Sequence, residues 1–181
     1  MARTSARESI LDAAERVVER QGLSSATIEA VAAEAGVSKG GLFYHFASKQ
    51  ELLSELLARY EERYRQFRDQ LISEMPDTPN RLLKASLLAS INHPARDYDK
   101  LSSIVAFLDD VALREKIVAM KQALFAEITK TAKRPERIAL AMMAADGLVM
   151  SDLFGPDIFN KEFKQKVIDE LLNVIDRLED D

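Results

Sequence analysis

Apolar residues recur at intervals of three and four along almost the whole chain, and no segment alternates convincingly between apolar and polar residues as a strand does. Residues that commonly start helices precede four of these stripes, namely Ser5, Thr27, Ser38 and Ser48. Glycine and proline, at six and five residues, are too few to break the stripes often. The pattern therefore predicts an all-α fold of about nine helices.

The predicted boundaries follow from caps, glycines and prolines, with Gly22 expected as a left-handed C-terminal cap of the first helix and Pro79 in the first turn of the fifth. The helices are expected at about residues 5–21, 28–35, 39–45, 48–74, 79–93, 98–108, 113–128, 136–154 and 160–178. The short second and third helices are joined by Ala35, Gly36 and Val37, and Gly36 can adopt the positive φ of a tight turn. Residues 27–46 thus have the length of a helix-turn-helix.

Gly40 and Gly41 stand near the start of the predicted third helix. Each glycine there costs roughly 1 kcal/mol relative to alanine, so their presence needs a reason. A backbone that must approach another surface closely supplies one, and the sugar–phosphate wall of DNA is such a surface. The second helix of a helix-turn-helix is the element that enters the major groove.

Composition narrows the alternatives. The 181-residue chain has no cysteine, which excludes disulfides, thiolate catalysis and cysteine-ligated metal centres, and its two histidines, His45 and His93, leave little for a histidine-based centre. No apolar stretch has the length of a signal peptide or a membrane span, so we expect a cytoplasmic protein, associated with the nucleoid when bound to DNA. We expect no cofactor and no metal.

The net charge of −5 argues only weakly against nucleic acid, because the charge is unevenly distributed. Residues 1–50 hold six basic and six acidic residues, whereas the remainder holds 19 basic and 24 acidic ones. The acidic excess therefore lies entirely outside the segment that contains the helix-turn-helix.

The side chains expected to contact DNA surround the third helix. Ser38 and the free N–H groups behind it suit a phosphate, and Lys39 can reach a guanine edge or a phosphate. The complete set of expected DNA contacts is Thr27, Ser38, Lys39, Gly40, Gly41, Tyr44, His45 and Lys49, with Ser24 or Ser25 beside Thr27. Structural roles compete with these: Tyr44 half-buried, His45 a core or capping residue, and the lysines merely solvated. Leu42, Phe43 and Phe46 are expected in the core.

Residues 27–53, which read TIEAVAAEAGVSKGGLFYHFASKQELL, resemble the N-terminal signature of the TetR family of bacterial transcriptional regulators. The resemblance covers about residues 5–60 without gaps, and Phe43 stands where tyrosine is also frequent in the family. It implies a DNA-binding head, residues 1–47, and a C-terminal effector-binding and dimerisation domain, residues 48–181. It points to the same DNA contacts.

Two C-terminal helices are candidates for the homodimer surface that two DNA half-sites require. Small residues in the helix at 136–154 allow close approach, and apolar residues recur near heptad spacing in the helix at 160–178. The expected interface residues are Ile138, Met142, Val149, Val167, Leu171, Val174 and Leu178. Two such helices from each subunit would form the four-helix bundle of the TetR family; alternatively, both stripes are intramolecular core.

The resemblance places an effector pocket among the helices from residue 48 to about 133. The expected lining residues are Tyr64, Phe67, Leu87, Ile91, Phe107, Met120, Met142 and Asp146. Methionine and phenylalanine suit an adaptable apolar cavity, although ordinary core is the alternative for each residue. For Asp146, a bond across the dimer, a backbone cap and a cationic ligand all remain open.

The function expected is that of a ligand-responsive regulator, most often a repressor in this family, which binds a palindromic DNA operator as a dimer and is released by a small apolar molecule. An enzyme is not expected, because the chain has no Gly-rich phosphate loop, no HExxH motif and no Ser–His–Asp set at a supporting spacing. The alternatives are a helical DNA-binding protein of the same fold without a transcriptional role, or a helical adaptor.

Overall fold

The computed structural model of the protein describes residues 5–22, 25–92, 110–130, 132–151 and 159–179, and all regular structure within them is helical. The α-helices are α1 (Ala6–Gln21), α2 (Ile28–Ala35), α3 (Lys39–His45), α4 (Lys49–Glu74), α5 (Arg81–Asn92), α6 (Val111–Thr129), α7 (Pro135–Ser151) and α8 (Lys161–Asp176). A short 3-10 helix, Arg177–Glu179, follows α8. The helix expected at 98–108 lies outside the described residues, as do Ser24, His93 and Phe107. The all-α fold is confirmed.

The caps explain where the helices begin. The hydroxyl oxygens of Ser5, Thr27, Ser38 and Ser48 each accept a backbone N–H from three residues ahead, at 3.0–3.2 Å. Glu51 completes a variant of the capping box at α4, because its carboxylate accepts the N–H of Ala47 at 2.7 Å. Helix α5 begins at Arg81 rather than at Pro79, after a turn in which the N–H of Arg81 donates to the carbonyl of Thr78.

Two glycines take positive φ. Gly36, at the turn between α2 and α3, lies in the left-handed region with φ 68° and ψ 28°, as expected. Gly22 also has a positive φ of 79°, but its ψ of 163° is extended, so the prediction of a left-handed cap was wrong in detail. Its N–H still donates to the carbonyl of Val18, and the chain then leaves α1 in an extended direction.

The described residues form two compact units. The first contains residues 5–22, 25–63 and 110–116, and its core is built on α1, α2, α3 and the first half of α4. The largest fully buried side chains of this unit are Ile10, Val31, Leu42, Phe46, Leu52 and Leu113. Packing divides the chain between Arg63 and Tyr64. The functional division expected between residues 47 and 48 stays a prediction.

The second unit contains residues 64–92, 117–130, 132–151 and 159–179. Its core is an apolar cluster contributed by α5, α7 and α8, formed by Leu83, Leu87, Ile91, Ile138, Ala141, Ala145, Leu148, Ile168, Leu171 and Ile175. The side-chain amide of Asn80 also ties the start of α5 to α8, because it donates to the carbonyl of Ile175 at 2.7 Å. None of the described helices combines the length and apolarity that a membrane crossing needs.

Candidate nucleic-acid interface

Helices α2 and α3 form a helix-turn-helix whose geometry is fixed by local chemistry. Thr27 caps α2 and Ser38 caps α3, and the left-handed Gly36 between them lets the chain reverse sharply. The N–H of Val37 donates to the carbonyl of Ala32 at 3.0 Å, which closes the end of α2. The caps and the turn therefore fix the orientation of the two short helices relative to each other.

The start of α3 presents unpaired backbone donors. The Ser38 oxygen accepts the N–H of Gly41 at 3.0 Å, so that group is already satisfied. The N–H groups of Lys39 and Gly40 belong to the first turn, where a helix supplies no internal acceptor. Ser38 is exposed, and its hydroxyl hydrogen remains available to an anion. The predicted anion-binding character of this end thus rests on two N–H groups and one O–H group.

The two glycines of α3 have different reasons to be there. A Cβ at Gly41 would lie 3.3 Å from the Ser38 oxygen and 3.7 Å from Cβ of Val37, so a side chain at Gly41 would crowd the cap. At Gly40 the nearest atom would be 3.9 Å away, and the residue is exposed. Nothing within the described residues requires glycine at position 40, because a Cβ there would make only an ordinary van der Waals contact.

One face of α3 is apolar and buried, and the other carries exposed aromatic rings. Leu42 and Phe46 are fully buried, as expected. The expectation that Phe43 is core was wrong, because its side chain is 40% exposed. It lies one position beyond Leu42 and so points about 100° around the helix, away from the core. Tyr44 is 86% exposed, and a half-buried role for it is excluded.

The charged groups of this face are few. Nζ of Lys39 lies 2.7 Å from a carboxylate oxygen of Glu29 on α2. The hydrogen bond from Lys39 lowers the pKa of Glu29 below its ordinary value. Lys49, at the first position of α4, is exposed and has no ion-pair partner among the described residues. His45 is half-buried, and its ring meets Tyr44 edge to face at 5.1 Å between centroids.

Ion pairs hold α4 against α1 within the first unit. The guanidinium of Arg59 reaches Glu8, Asp12 and Glu15 on α1 at 2.8, 2.7 and 3.4 Å. Arg63 adds a contact to Glu15 at 3.0 Å. Burial alone would lower the pKa of Arg59, but the hydrogen bond that Arg59 donates to Asp12 and the surrounding carboxylate charges raise it. The start of α4, which carries Lys49, is thereby fixed relative to the head.

The expected dimer residues divide into two groups. Ile138 and Leu171 are packed in the core of the second unit, and their place at an interface stays a prediction. Met142, Val167 and Leu178 are partly buried against that core, and Val149 is half-buried. Val174 is exposed and lines a groove between α7 and α8 of about 390 Å³, together with Leu140. Leu140 and Met143, which were not among the expected interface residues, are 65% and 67% exposed.

The expected pocket residues are only partly brought together. Leu87 and Ile91 lie in the apolar core of the second unit, and Met142 packs against it. The hydroxyl of Tyr64 donates to the carbonyl of Ser86 at 3.0 Å, while Phe67 and Met120 are half-buried. Asp146 stands on the surface, where it pairs with Lys121 of α6 at 2.5 Å.

Ser86 is a residue that the sequence analysis did not single out. Its side chain is only 5% exposed, and its hydroxyl has no hydrogen-bond partner among the described residues. A serine inside the apolar stripe between Leu83 and Leu87 was the available signal. Among the described residues, no group of histidine and carboxylate side chains is placed to hold a metal ion.

Two family models match the chain. The model described as bacterial regulatory proteins of the tetR family matches residues 10–56, which include the whole helix-turn-helix. The model described as a tetracyclin repressor-like C-terminal domain matches residues 80–176, more than half of the chain. The chain belongs to the TetR family of bacterial regulatory proteins. The family resemblance of residues 27–53 is thereby confirmed, and membership in a family of regulators agrees with the expectation that the protein is not an enzyme.

Known TetR-family proteins are similar to this chain in sequence and fold. The HTH-type transcriptional repressor BepR from Brucella suis is 33% identical over 93 residues, which cover 50% of this chain and 44% of BepR. The chain covers less than half the length of this relative and of the others it matches first.

Solved structures extend the similarity over almost the whole chain, and they establish the fold. A putative TetR-family regulator from a Rhodococcus species superimposes with a TM-score of 0.74 at 23% identity and covers 96% of this chain and 98% of its own. The multidrug binding protein EbrR, complexed with malachite green, has a TM-score of 0.68 at 23% identity, with 91% and 96% coverage. The three-helix head and the C-terminal helices therefore follow the TetR architecture.

Proposed function

We propose that this protein is a transcriptional regulator that reads double-stranded DNA with α3. The observation that carries the proposal is the exposed face at the start of α3, where Gly40 leaves the backbone open beside Lys39 and Tyr44. In helix-turn-helix proteins the second helix enters the major groove with its N-terminal residues against the base edges. Helix α3 has the capping, exposure and backbone access for that position.

The remaining residues of the face act on the phosphates. Ser38 donates its hydroxyl hydrogen while its oxygen caps the helix, and Thr27 does the same at the start of α2. Tyr44, His45 and Lys49 lie around α3, where they approach the DNA phosphates. The dipole at the exposed start of α4 adds to the charge of Lys49. Gly41 acts indirectly, because it permits the Ser38 cap.

The protein acts as a homodimer, because a single small head binds weakly and half-sites are paired. Leu140, Met143 and Val174 expose apolar surface on α7 and α8, and the groove between these helices offers space for the same helices of a second copy. The operator is then palindromic. Repression is the mode we favour, in line with the name of the relative BepR.

The effector is a small, mainly apolar molecule held in the second unit. Support comes from the half-buried Met120 and Met142, from the unsatisfied hydroxyl of Ser86, and from the malachite green bound by the structural neighbour EbrR. Helix α4 runs from Lys49 in the first unit to Glu74 in the second, so a ligand that tilts α4 moves the head. A differential affinity of ~1–3 kcal/mol corresponds to roughly 5- to 150-fold release.

Selection from a library of random duplexes tests the DNA-binding proposal. The wild-type protein should enrich a sequence, and Lys49→Ala should weaken binding to enriched and random duplexes alike, with the salt slope reduced by about one. Lys133→Ala, an exposed lysine of the second unit, is the matched control. If no sequence is enriched, the DNA-reading function is wrong.

Effector release separates the regulator from a DNA-binding protein of the same fold without a transcriptional role. The selected duplex, labelled for fluorescence anisotropy, is titrated with malachite green and a panel of apolar compounds. Release of the duplex by at least one compound supports the regulator. The Lys133→Ala control should release the duplex to the same extent. Tight binding that no compound changes supports the rival function. A cytoplasmic location remains part of this proposal.

A further inference from the structure

The ion pair between Lys39 and Glu29 lies on the face proposed to bind DNA. The two groups are 2.7 Å apart, and their side chains are 60% and 64% exposed. Such an exposed pair contributes little to folding, because solvent screens both charges. The ion pair itself therefore gives little stability reason for a carboxylate at position 29, where a phosphate-binding surface would be stronger without it.

Lys39 is held from two sides. The carboxylate of Glu29 accepts its hydrogen bond, and Nζ also lies 6.0 Å from the centre of the exposed Phe43 ring. Glu29 in turn sits in the first turn of α2, where the helix dipole favours its negative charge. Both backbones are fixed by caps, at Thr27 and Ser38, so the ammonium has a defined place before DNA arrives.

The pair changes the charge that DNA meets. Lys39 and Glu29 cancel, which leaves Lys49 as the cation of this face that has no partner within the described residues. Affinity for DNA of any sequence rises with the number of phosphates neutralised, and the salt dependence rises with it. A paired Lys39 therefore contributes little to binding that ignores sequence.

We propose that Glu29 determines specificity by acting through Lys39, an inference that rests on the proposed DNA-reading function. A phosphate that draws Lys39 away leaves the Glu29 carboxylate beside a like charge, which opposes such binding. A G·C pair in the major groove offers guanine O6 and N7 as acceptors for the Lys39 ammonium while that ammonium stays beside Glu29. The pair thus favours a G·C pair over the backbone. Glu29 is a positioning residue in this scheme.

The test compares the wild-type protein with Glu29→Gln, Lys39→Ala and the double variant. Glu115→Gln removes the same charge from an exposed position on α6 and serves as control. Affinities are measured by anisotropy at several salt concentrations. The probes are the duplex selected by the wild type, the same duplex with each G·C pair changed to A·T, and a random duplex.

Glu29→Gln should bind the random duplex about 3- to 10-fold more tightly, with a salt slope steeper by about 0.9 for each protomer that engages DNA. Its preference for the selected duplex should fall by a similar factor, mainly at one G·C pair of the half-site. The change should vanish when Lys39 is already alanine, because Glu29 then has nothing to position. Glu115→Gln should change neither affinity by more than about twofold.

Three results overturn the inference. An unchanged preference in Glu29→Gln shows that the pair opens without consequence, and an effect that persists in the Lys39→Ala background shows that Glu29 acts on its own. Failure of the wild type to select any duplex removes the proposed function and this inference together. The first result differs from this failure: if the wild type selects a sequence and Glu29→Gln shows the same preference for it, only the role of Glu29 is refuted.

Discussion

The two compact units of this chain differ in the side chains that surround their apolar cores. The first unit closes its small apolar core and covers it with ion pairs, such as those from Arg59 to α1 and from Arg16 and Arg20 of α1 to Glu34 of α2. The second unit has an apolar core of three helices yet leaves Leu140 and Met143 open to solvent. This exposed apolar surface fits the second copy of the chain proposed above.

The difference between the two units explains why the DNA-binding surface is easier to recognise in the sequence than the apolar one. A surface that binds DNA needs polar groups at fixed places, and those groups are set by caps and turns that depend on single residues. A surface that meets another helix needs only apolar side chains of fitting shape, which many sequences provide. The head is consequently the part of the chain with a specific signature.

Removal of the Phe46 ring should have the largest effect and separate the two units. Phe46 is fully buried in the first unit, and Arg7 lies 4.7 Å above its ring. Phe46→Ala should cost ~3–5 kcal/mol of stability and abolish DNA binding. Sedimentation should still show the dimer, since α7 and α8 are untouched. Loss of the dimer in Phe46→Ala would break the comparison.

The apolar surface of the second unit is tested by Leu140→Glu. A charge at this position should dissociate the dimer, because a buried unpaired carboxylate costs several kcal/mol at an interface. Val118→Glu places the same charge on another exposed apolar residue, on α6, and should leave the dimer intact. Sedimentation at micromolar concentration measures both. A Leu140→Glu protein that sediments like the wild type would mean that α7 does not carry the interface.

The ion pairs of the two units should differ in strength. Arg59→Ala removes the guanidinium from Glu8 and Asp12 and leaves Glu15 with Arg63 alone. It should cost about 1–2 kcal/mol, reduced from the fully buried case because the carboxylates are partly solvated. Lys121→Ala breaks the exposed pair with Asp146 and should cost less than about 1 kcal/mol. Urea denaturation compares them. Equal costs would show that the α1–α4 contacts are ordinary surface pairs.

Tyr44→Phe sharpens the picture of the head with a smaller effect. Tyr44 is almost fully exposed, so loss of its hydroxyl should leave the melting temperature unchanged. The hydrogen bond to a phosphate is worth about 0.5–1.5 kcal/mol, which corresponds to a roughly 2- to 12-fold loss of DNA affinity. Anisotropy on selected and random duplexes should show the same loss on both. A loss confined to the selected duplex would make Tyr44 a base reader.

Acid should weaken the head through its carboxylates. Hydrogen bonds from Arg16 and Arg20 lower the pKa of Glu34, and a hydrogen bond from Arg7 lowers that of Glu55. Groups with a lowered pKa in the folded state stabilise it fully above their ordinary value of 4.5 and lose this contribution as the pH falls below it. Denaturation at pH 7 and at pH 3.5 measures the loss, and Glu34→Gln should reduce it. An equal loss in Glu34→Gln would remove Glu34 from the explanation.

The sequence was sufficient for the helices of the described residues and for most of the head. Serine and threonine caps act within three residues, so the caps at Ser38 and Thr27 could be predicted from sequence. The positive φ of Gly36 followed from its place in the turn between α2 and α3. Phe43 was misplaced because helical spacing does not resolve adjacent apolar residues of a seven-residue helix. The role of Glu29 depends on a contact between two helices, which no local pattern encodes.

The second unit was less predictable for a physical reason. An apolar stripe states that a helix face is covered, but not whether its own chain or a partner covers it. Leu171 and Ile138 face the chain's own core, whereas Leu140, three residues before Met143, does not. The residues that line an effector pocket differ from core residues only by a void beside them, and sequence carries no direct record of a void.

A hydroxyl-radical footprint on the selected duplex tests most directly whether paired helix-turn-helix heads read DNA. Two protected segments related by a dyad are expected, with centres about one helical turn or a whole multiple of it apart. Protection of both segments should disappear together in Leu140→Glu at concentrations where the wild type is dimeric. A single protected segment without a dyad, unchanged by Leu140→Glu, would contradict paired reading of DNA by this protein.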